Sequence, residues 1–124
     1  MVTWDRQTAW VVESNHAHSR VVGDMLRDRF DVVSFLSASQ AIEAMEEGRR
    51  ADLVVASHDV RPSGSLNGLD VTICAKVTGA RTILLPEDSY VDGIEQIGAE
   101  YQPNAVLQKP YVVMSFRRAI EGTH

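Results

Sequence analysis

Three histidines and a lysine are the side chains whose spacing first suggests chemistry. His16 and His18 form an H-x-H pair, His58 stands beside Asp59, and Lys109 follows an apolar run. A histidine cluster is a metal-ligand pattern. Residues two apart on a helix diverge by about 200°, however, and a zinc site normally takes three or four ligands. His16 and His18 could share an ion only where the chain is not helical, so no metal site is expected. Lys109 has Glu13 or Asp59 to pair with, which would neutralise the edge on which they stand. The sequence contains no phosphate-cradling glycine loop, no dinucleotide fingerprint and no recognisable motif of a catalytic Ser or Cys with its base. Neither an enzyme nor a bound cofactor is expected.

These residues sit directly after short apolar runs that must position them. The runs are Trp10-Val12, Val32-Phe35, Leu53-Ala56, Thr82-Leu85 and Ala105-Leu107, each followed by helical spacing, so five strands alternating with five helices are predicted. Between the first two, Ala17, Val21, Val22, Met25 and Leu26 predict one buried helical stripe, with Arg20, Asp24, Arg27 and Asp28 outside. A second helix is predicted from Ser37, with Gln40 at capping-box spacing, to Gly48. A third runs from about Gly68 to Val77 and closes at Gly79. A fourth starts at Ser89 and carries Val91, Ile94 and Ile97; the fifth runs from Val112 to about Glu121 and buries some of Val113, Phe116 and Ile120. Strands that are apolar without alternation are expected where helices cover both faces of a parallel sheet. The fold class is therefore α/β, doubly wound, with any site at the carboxyl ends of the strands.

Composition narrows the rest. The 124 residues carry 12 Lys and Arg against 17 Asp and Glu, a formal charge of −5, and suit a single domain over 1–124. No basic cluster offers a grip on nucleic acid, and Trp4 and Trp10 read as packing residues, not a stacking platform. No apolar run approaches the roughly 20 residues of a membrane span, and no secretory signal is evident. With Cys74 the only cysteine, no internal disulfide is possible, and a reducing cytoplasm is the expected location.

Four loops hold the remaining polar residues: Glu13-Ser14-Asn15, Ser57-His58-Asp59 with Arg61-Pro62, Pro86-Glu87-Asp88, and Gln108-Lys109-Pro110-Tyr111. From WVVES through DLVVASHDVRP, NGLDV and TILLPED to VLQKPY, the chain resembles the CheY-like receiver domains of two-component response regulators over nearly its whole length. The resemblance implies a flavodoxin-like sheet in order 2-1-3-4-5. It also implies a site with two acidic residues after the first strand, a phosphate-accepting Asp after the third, Thr or Ser after the fourth and Lys-Pro after the fifth. Those residue types suit phosphoryl transfer: a carboxylate in line with phosphorus, oxygen ligands for Mg²⁺, and a fixed cation on the phosphoryl oxygens.

The chain departs from that pattern at three of the four positions. Counted from Asp52 the acceptor position falls on Ser57; counted back from Pro62 it falls on His58. The acidic pair is Glu13-Ser14, and the reporting hydroxyl is Pro86, which has neither hydroxyl nor N–H. The aromatic switch position holds Val106, while Lys109, Pro110 and Tyr111 remain. Ser65-Leu66-Asn67-Gly68 reads as a turn. The expectation is an atypical, phosphorylation-independent receiver-like domain that binds a protein partner: a histidine kinase, an output domain or an adaptor target. Two alternatives stand beside it: a phosphoacceptor using Asp59 with Glu13 and Lys109, or a small-ligand or metal sensor. By resemblance, the face made by the fourth helix, fifth strand and fifth helix is a candidate interface or homodimer contact, with Tyr90, Ile94, Val106, Tyr111 and Arg117 on it.

Overall fold

Each apolar run becomes a strand, and their parallel pairing places the described parts of the polar loops at one edge. The computed structural model describes residues 6–59, 66–87, 91–109 and 113–122. Trp4, Arg61 to Ser65, Asp88, Ser89, Tyr90, Pro110, Tyr111 and Val112 lie outside the described residues. The elements run β1 (Gln7–Val12), α1 (His16–Leu26), β2 (Phe30–Phe35), α2 (Ala38–Glu46), β3 (Leu53–Ser57), α3 (Gly68–Val77), β4 (Arg81–Leu85), β5 (Ala105–Val106) and α4 (Val113–Gly122). The five strands form one parallel sheet in the order β2-β1-β3-β4-β5, the doubly wound arrangement expected. Among the described residues no helix is long and apolar enough to cross a membrane.

Alternation along the strands splits the core into two layers. Trp10, Val12, Val54 and Ala56 face α2 and α3, packing with Phe35, Ala41, Met45, Val71 and Ala75. Ala9, Val11, Leu53, Val55, Ile83 and Leu85 face α1 and α4, packing with Val22, Leu26, Phe116 and Ile120. Burying both faces removes the need for polar alternation, which is why the strands read as continuous apolar runs.

Helix ends follow their capping chemistry. The Ser37 hydroxyl accepts from Gln40 N at 3.2 Å, and the Gln40 side chain accepts from Leu36 N at 3.1 Å, one residue earlier than a capping box requires. A full box closes α3, where Asn67 and Asp70 accept from each other's backbone N–H at 3.1 and 2.8 Å. Gly48 and Gly79, which follow α2 and α3, both have a φ of +93°, the left-handed conformation that glycine adopts without penalty.

Two expectations are corrected. The buried stripe of α1 is Ser19, Val22, Gly23 and Leu26; Ala17 and Val21 are exposed and Met25 is half-buried. Residues 91–98 form no fourth α-helix, and the predicted five helices become four among the described residues, with two 3₁₀ turns at Ile94–Gln96 and Ala99–Tyr101. Val91, Ile94 and Ile97 are spaced by three, which matches the 3.0-residue turn of a 3₁₀ helix. They do pack on Leu69 and Leu84, but Gly93 at φ +84° breaks the helical path. Gln102 Nε2 then donates to the Ile94 and Ile97 carbonyls at 2.6 and 3.0 Å. The last helix buries some of its three named residues, as expected: Phe116 and Ile120 anchor α4, and Val113 at its start is half exposed.

Cys74 on α3 is half-buried, and its thiol is pushed above the usual range by burial first, then by Asp70 and Glu46. Because the thiolate is the reactive form, alkylation by iodoacetamide near neutral pH is expected to be slower than for a free cysteine and to recover in urea. A native rate equal to the free thiol's would show that burial does not protect it.

Candidate functional site

Strand order decides which loops meet. β1 and β3 are neighbours in register, with Val12 opposite Ala56, so Glu13 and Ser57 emerge side by side. Ser57 is the last residue of β3, opposite Leu85, and thus belongs to the strand where the sequence placed it in the loop. Lys109 arrives from β5, its backbone N–H donating to the Pro86 carbonyl at 2.7 Å. That bond draws the loops after β4 and β5 together.

The Lys109 ammonium closes the site. Nζ donates to Glu13 Oε1 and to Ser57 Oγ, both at 2.8 Å. The two charged side chains are 14% and 8% exposed, so this is a largely buried ion pair. The other carboxylate oxygen of Glu13 accepts from Asn15 N at 3.3 Å, and Asn15 also caps α1 by accepting from His18 N. His18 Nδ1 lies 3.6 Å from Glu13 Oε1; His16 is exposed and joins neither. Of the two partners expected for Lys109, Glu13 is engaged and Asp59 is not.

A polar hollow of about 330 Å³ lies over this pair, lined by Glu13, Ser14, Ser57, Asp59, Glu87 and Lys109 among others. His58 and Pro86 contribute backbone: His58 N donates to the Leu85 carbonyl at 3.1 Å, and Pro86 accepts from Lys109. Among the described residues, His58 Nδ1 and Asp59 Oδ2 are buried without a hydrogen-bond partner.

The residues present do not fit a divalent cation. Mg²⁺ asks for octahedral oxygen ligation and favours carboxylates. Here Glu13 holds an ammonium on one oxygen and a backbone N–H on the other. No group of three metal-capable side chains occurs among the described residues. The hydroxyl of Ser57 accepts from a cation and has no base bonded to it, so it is not an activated nucleophile.

Of the interface candidates, Ile94 packs inward on Leu69 and Leu84, Val106 is 43% exposed on β5, and Arg117 lies beside Met25 and Phe30 toward α1. Tyr90 and Tyr111 lie outside the described residues.

Gly68, read from the sequence as part of a turn and the start of the third helix, also positions the site. A Cβ there would stand 2.1 Å from the Ser57 carbonyl oxygen and 2.7 Å from His58 Cα, while its N–H donates to the His58 carbonyl at 3.1 Å. The start of α3 is thus pressed onto the end of β3. Gly68→Ala is expected to cost at least the roughly 1–3 kcal/mol of an overpacked core, measured by urea denaturation. An unchanged midpoint would show that the two segments separate freely. No alternation or periodicity signals such a close approach.

No protein-family model and no curated protein matches the chain by sequence. Solved structures do match in shape. The signal receiver domain of an HD domain-containing protein from Pseudomonas fluorescens is 20% identical, with a TM-score of 0.75 over 97% of this chain and 98% of its own. A CheY-like response regulator receiver domain from Methylobacillus flagellatus is 17% identical, with a TM-score of 0.73 over 97% and 100%. The receiver domain of a Pseudomonas aeruginosa sensor histidine kinase, solved with magnesium in its active-site cleft, is 20% identical, with a TM-score of 0.73 over 94% and 96%. With its sheet order 2-1-3-4-5 and its polar loops gathered at the carboxyl ends of the strands, the chain has the receiver fold.

Proposed function

We propose that the chain, as one domain over 1–124, is a phosphorylation-independent receiver-like signalling module of the cytoplasm that acts by recognising another protein and catalyses no reaction. One observation carries the reading. Ser57 ends the strand where receivers are expected to place the acceptor Asp, and its hydroxyl and Glu13 both occupy Lys109 Nζ. The cation that would hold a phosphoryl group is already neutralised by a carboxylate, and a serine hydroxyl does not form an acyl phosphate. A histidine kinase, an output domain or an adaptor target is the kind of partner intended, and the exposed edge strand β5 with Val106 offers one contact surface.

The test is incubation with Mg²⁺ and acetyl phosphate, or with beryllofluoride, followed by intact mass and amide NMR. An unchanged mass and unmoved amides at Glu13, Ser57 and Asp59 are expected. An acid-labile adduct that disappears in Asp59→Asn would overturn the proposal and install Asp59 as the acceptor.

A further inference from the structure

Above the Glu13–Lys109 pair the surface is polar; beside it, between α1 and α4, a cleft of about 510 Å³ runs along the sheet. That volume lies within the range of small-molecule sites, which are mostly apolar with a few convergent polar groups. Its floor is Val11, Val55 and Leu85, and its walls are Val21, Val22 and Met25 on one side and Val113 on the other. The cleft exists because α4 is anchored only from Phe116 onward. In its first turn Val113 is 49% exposed and lines the cleft with a Val21 that is 53% exposed. Exposed valines on both lips of an aliphatic channel are left over after folding.

The polar end of the cleft specifies the head of a ligand. Glu13, His18, Ser57, Glu87 and Lys109 line it, so both carboxylates and an ammonium are present. An anionic head would meet Glu13 and Glu87, and a cationic one Lys109. Burying a charge without a free counter-charge is costly, whereas a hydroxyl or amide needs only a donor and an acceptor. An ammonium has three donors; Glu13 and Ser57 use two of those of Lys109, which leaves one. Among the described residues the walls are aliphatic, which suits a hydrocarbon chain.

We infer that this cleft binds an uncharged aliphatic amphiphile, its hydrocarbon body between α1 and α4 and its hydroxyl or amide head at the Glu13–Lys109–Ser57 rim. The inference rests on the rim being closed by its own ion pair, as in the proposed function, but it is read by a different measurement. The phosphodonor experiment can fail or succeed whatever the cleft binds.

Octanol, octanoate and octylammonium share a chain and differ in the head. Titrated into the full chain and followed by methyl NMR, octanol is expected to shift the methyl groups of Val21, Val22, Met25, Val55 and Val113. Each charged analogue is expected to bind about tenfold more weakly or worse, a difference of roughly 1.4 kcal/mol. Val113→Trp, at an exposed position that leaves the core untouched, should abolish the shifts; Val77→Trp, on the opposite face of the sheet, should not. Circular dichroism confirms that both variants fold, and Val21→Trp serves if the first does not. No methyl shift up to the solubility limit of octanol would overturn the inference. So would shifts that survive Val113→Trp, or octanoate or octylammonium binding as tightly as octanol. A second copy of the chain seated in the cleft, seen as a dimer that octanol does not dissociate, would overturn it as well.

Discussion

Lys109→Met is expected to lower the free energy of unfolding by about 3–5 kcal/mol, the usual cost of removing one partner from a buried ion pair. Methionine keeps most of the length and apolar stem of lysine, so packing changes little. What changes is that Glu13, 8% exposed, keeps a carboxylate with only the Asn15 amide and the half-exposed His18 imidazole 3.6 Å away to satisfy it, and Ser57 loses its donor. Removing both charges should behave differently. The pair Glu13→Met with Lys109→Met removes the uncompensated ion, and buried pairs replaced by apolar groups are often neutral or better. The double variant is expected to recover most of the loss, which urea denaturation of all four forms would read as a coupling energy. A single-variant loss below about 1 kcal/mol, typical of exposed pairs, would mean that water screens Lys109. The ammonium would then be open to a phosphoryl group, and the main support for phosphorylation independence would be gone.

The parts of the fold legible in the sequence are those set by burial. All five apolar runs became strands, because a strand covered on both faces has no polar positions to confuse the reading. The boundaries of α2 and α3 were legible because Ser37, Asn67, Gly48 and Gly79 act locally, through hydrogen bonds and backbone freedom within one turn. The missing fourth helix was not: Val91 is buried and Ile94 and Ile97 are partly buried against it, but a spacing of three suits two geometries, and Gly93 chose between them through its own φ. Exposure of Val21 was also hidden, since it depends on how far the first turn of α4 stands from α1.

At the site, the pairing of Lys109 with Glu13 was legible as one of two alternatives because both follow strands that end at the same edge. Choosing Glu13 over Asp59 required the register, which makes Glu13 and Ser57 neighbours and carries Asp59 two residues past the strand. Gly68 was illegible as a positioning residue, because what demands glycine there is the backbone of Ser57 and His58, ten residues and more away in sequence.

Trp10→Ala is expected to cost about 3–5 kcal/mol, the range for truncating a large buried aromatic, and to lower the melting temperature by on the order of 10–20 °C for a domain of this size. Trp10 is buried on β1, meets the Phe35 ring edge-on at 4.8 Å and 62°, and has the Arg49 guanidinium 5.6 Å from its centre. Edge-on aromatic pairs add about 0.5–1.5 kcal/mol to the area they bury. Trp10→Phe should therefore lose clearly less than Trp10→Ala, since it keeps an aromatic ring in the layer. Total stabilities of such domains are about 5–15 kcal/mol, so the alanine variant must be studied in the cold. There the damage should stay on one face. Trp10 packs toward α2 and α3, whereas Val11 and Val55 pack toward α1 and α4. Methyl signals of Met45 and Val71 are expected to move, while those of Val22 and Val113 hold. Equal disturbance on both faces would show that the sheet does not insulate its two layers, and that the α1–α4 cleft cannot be treated as independent of the core behind it.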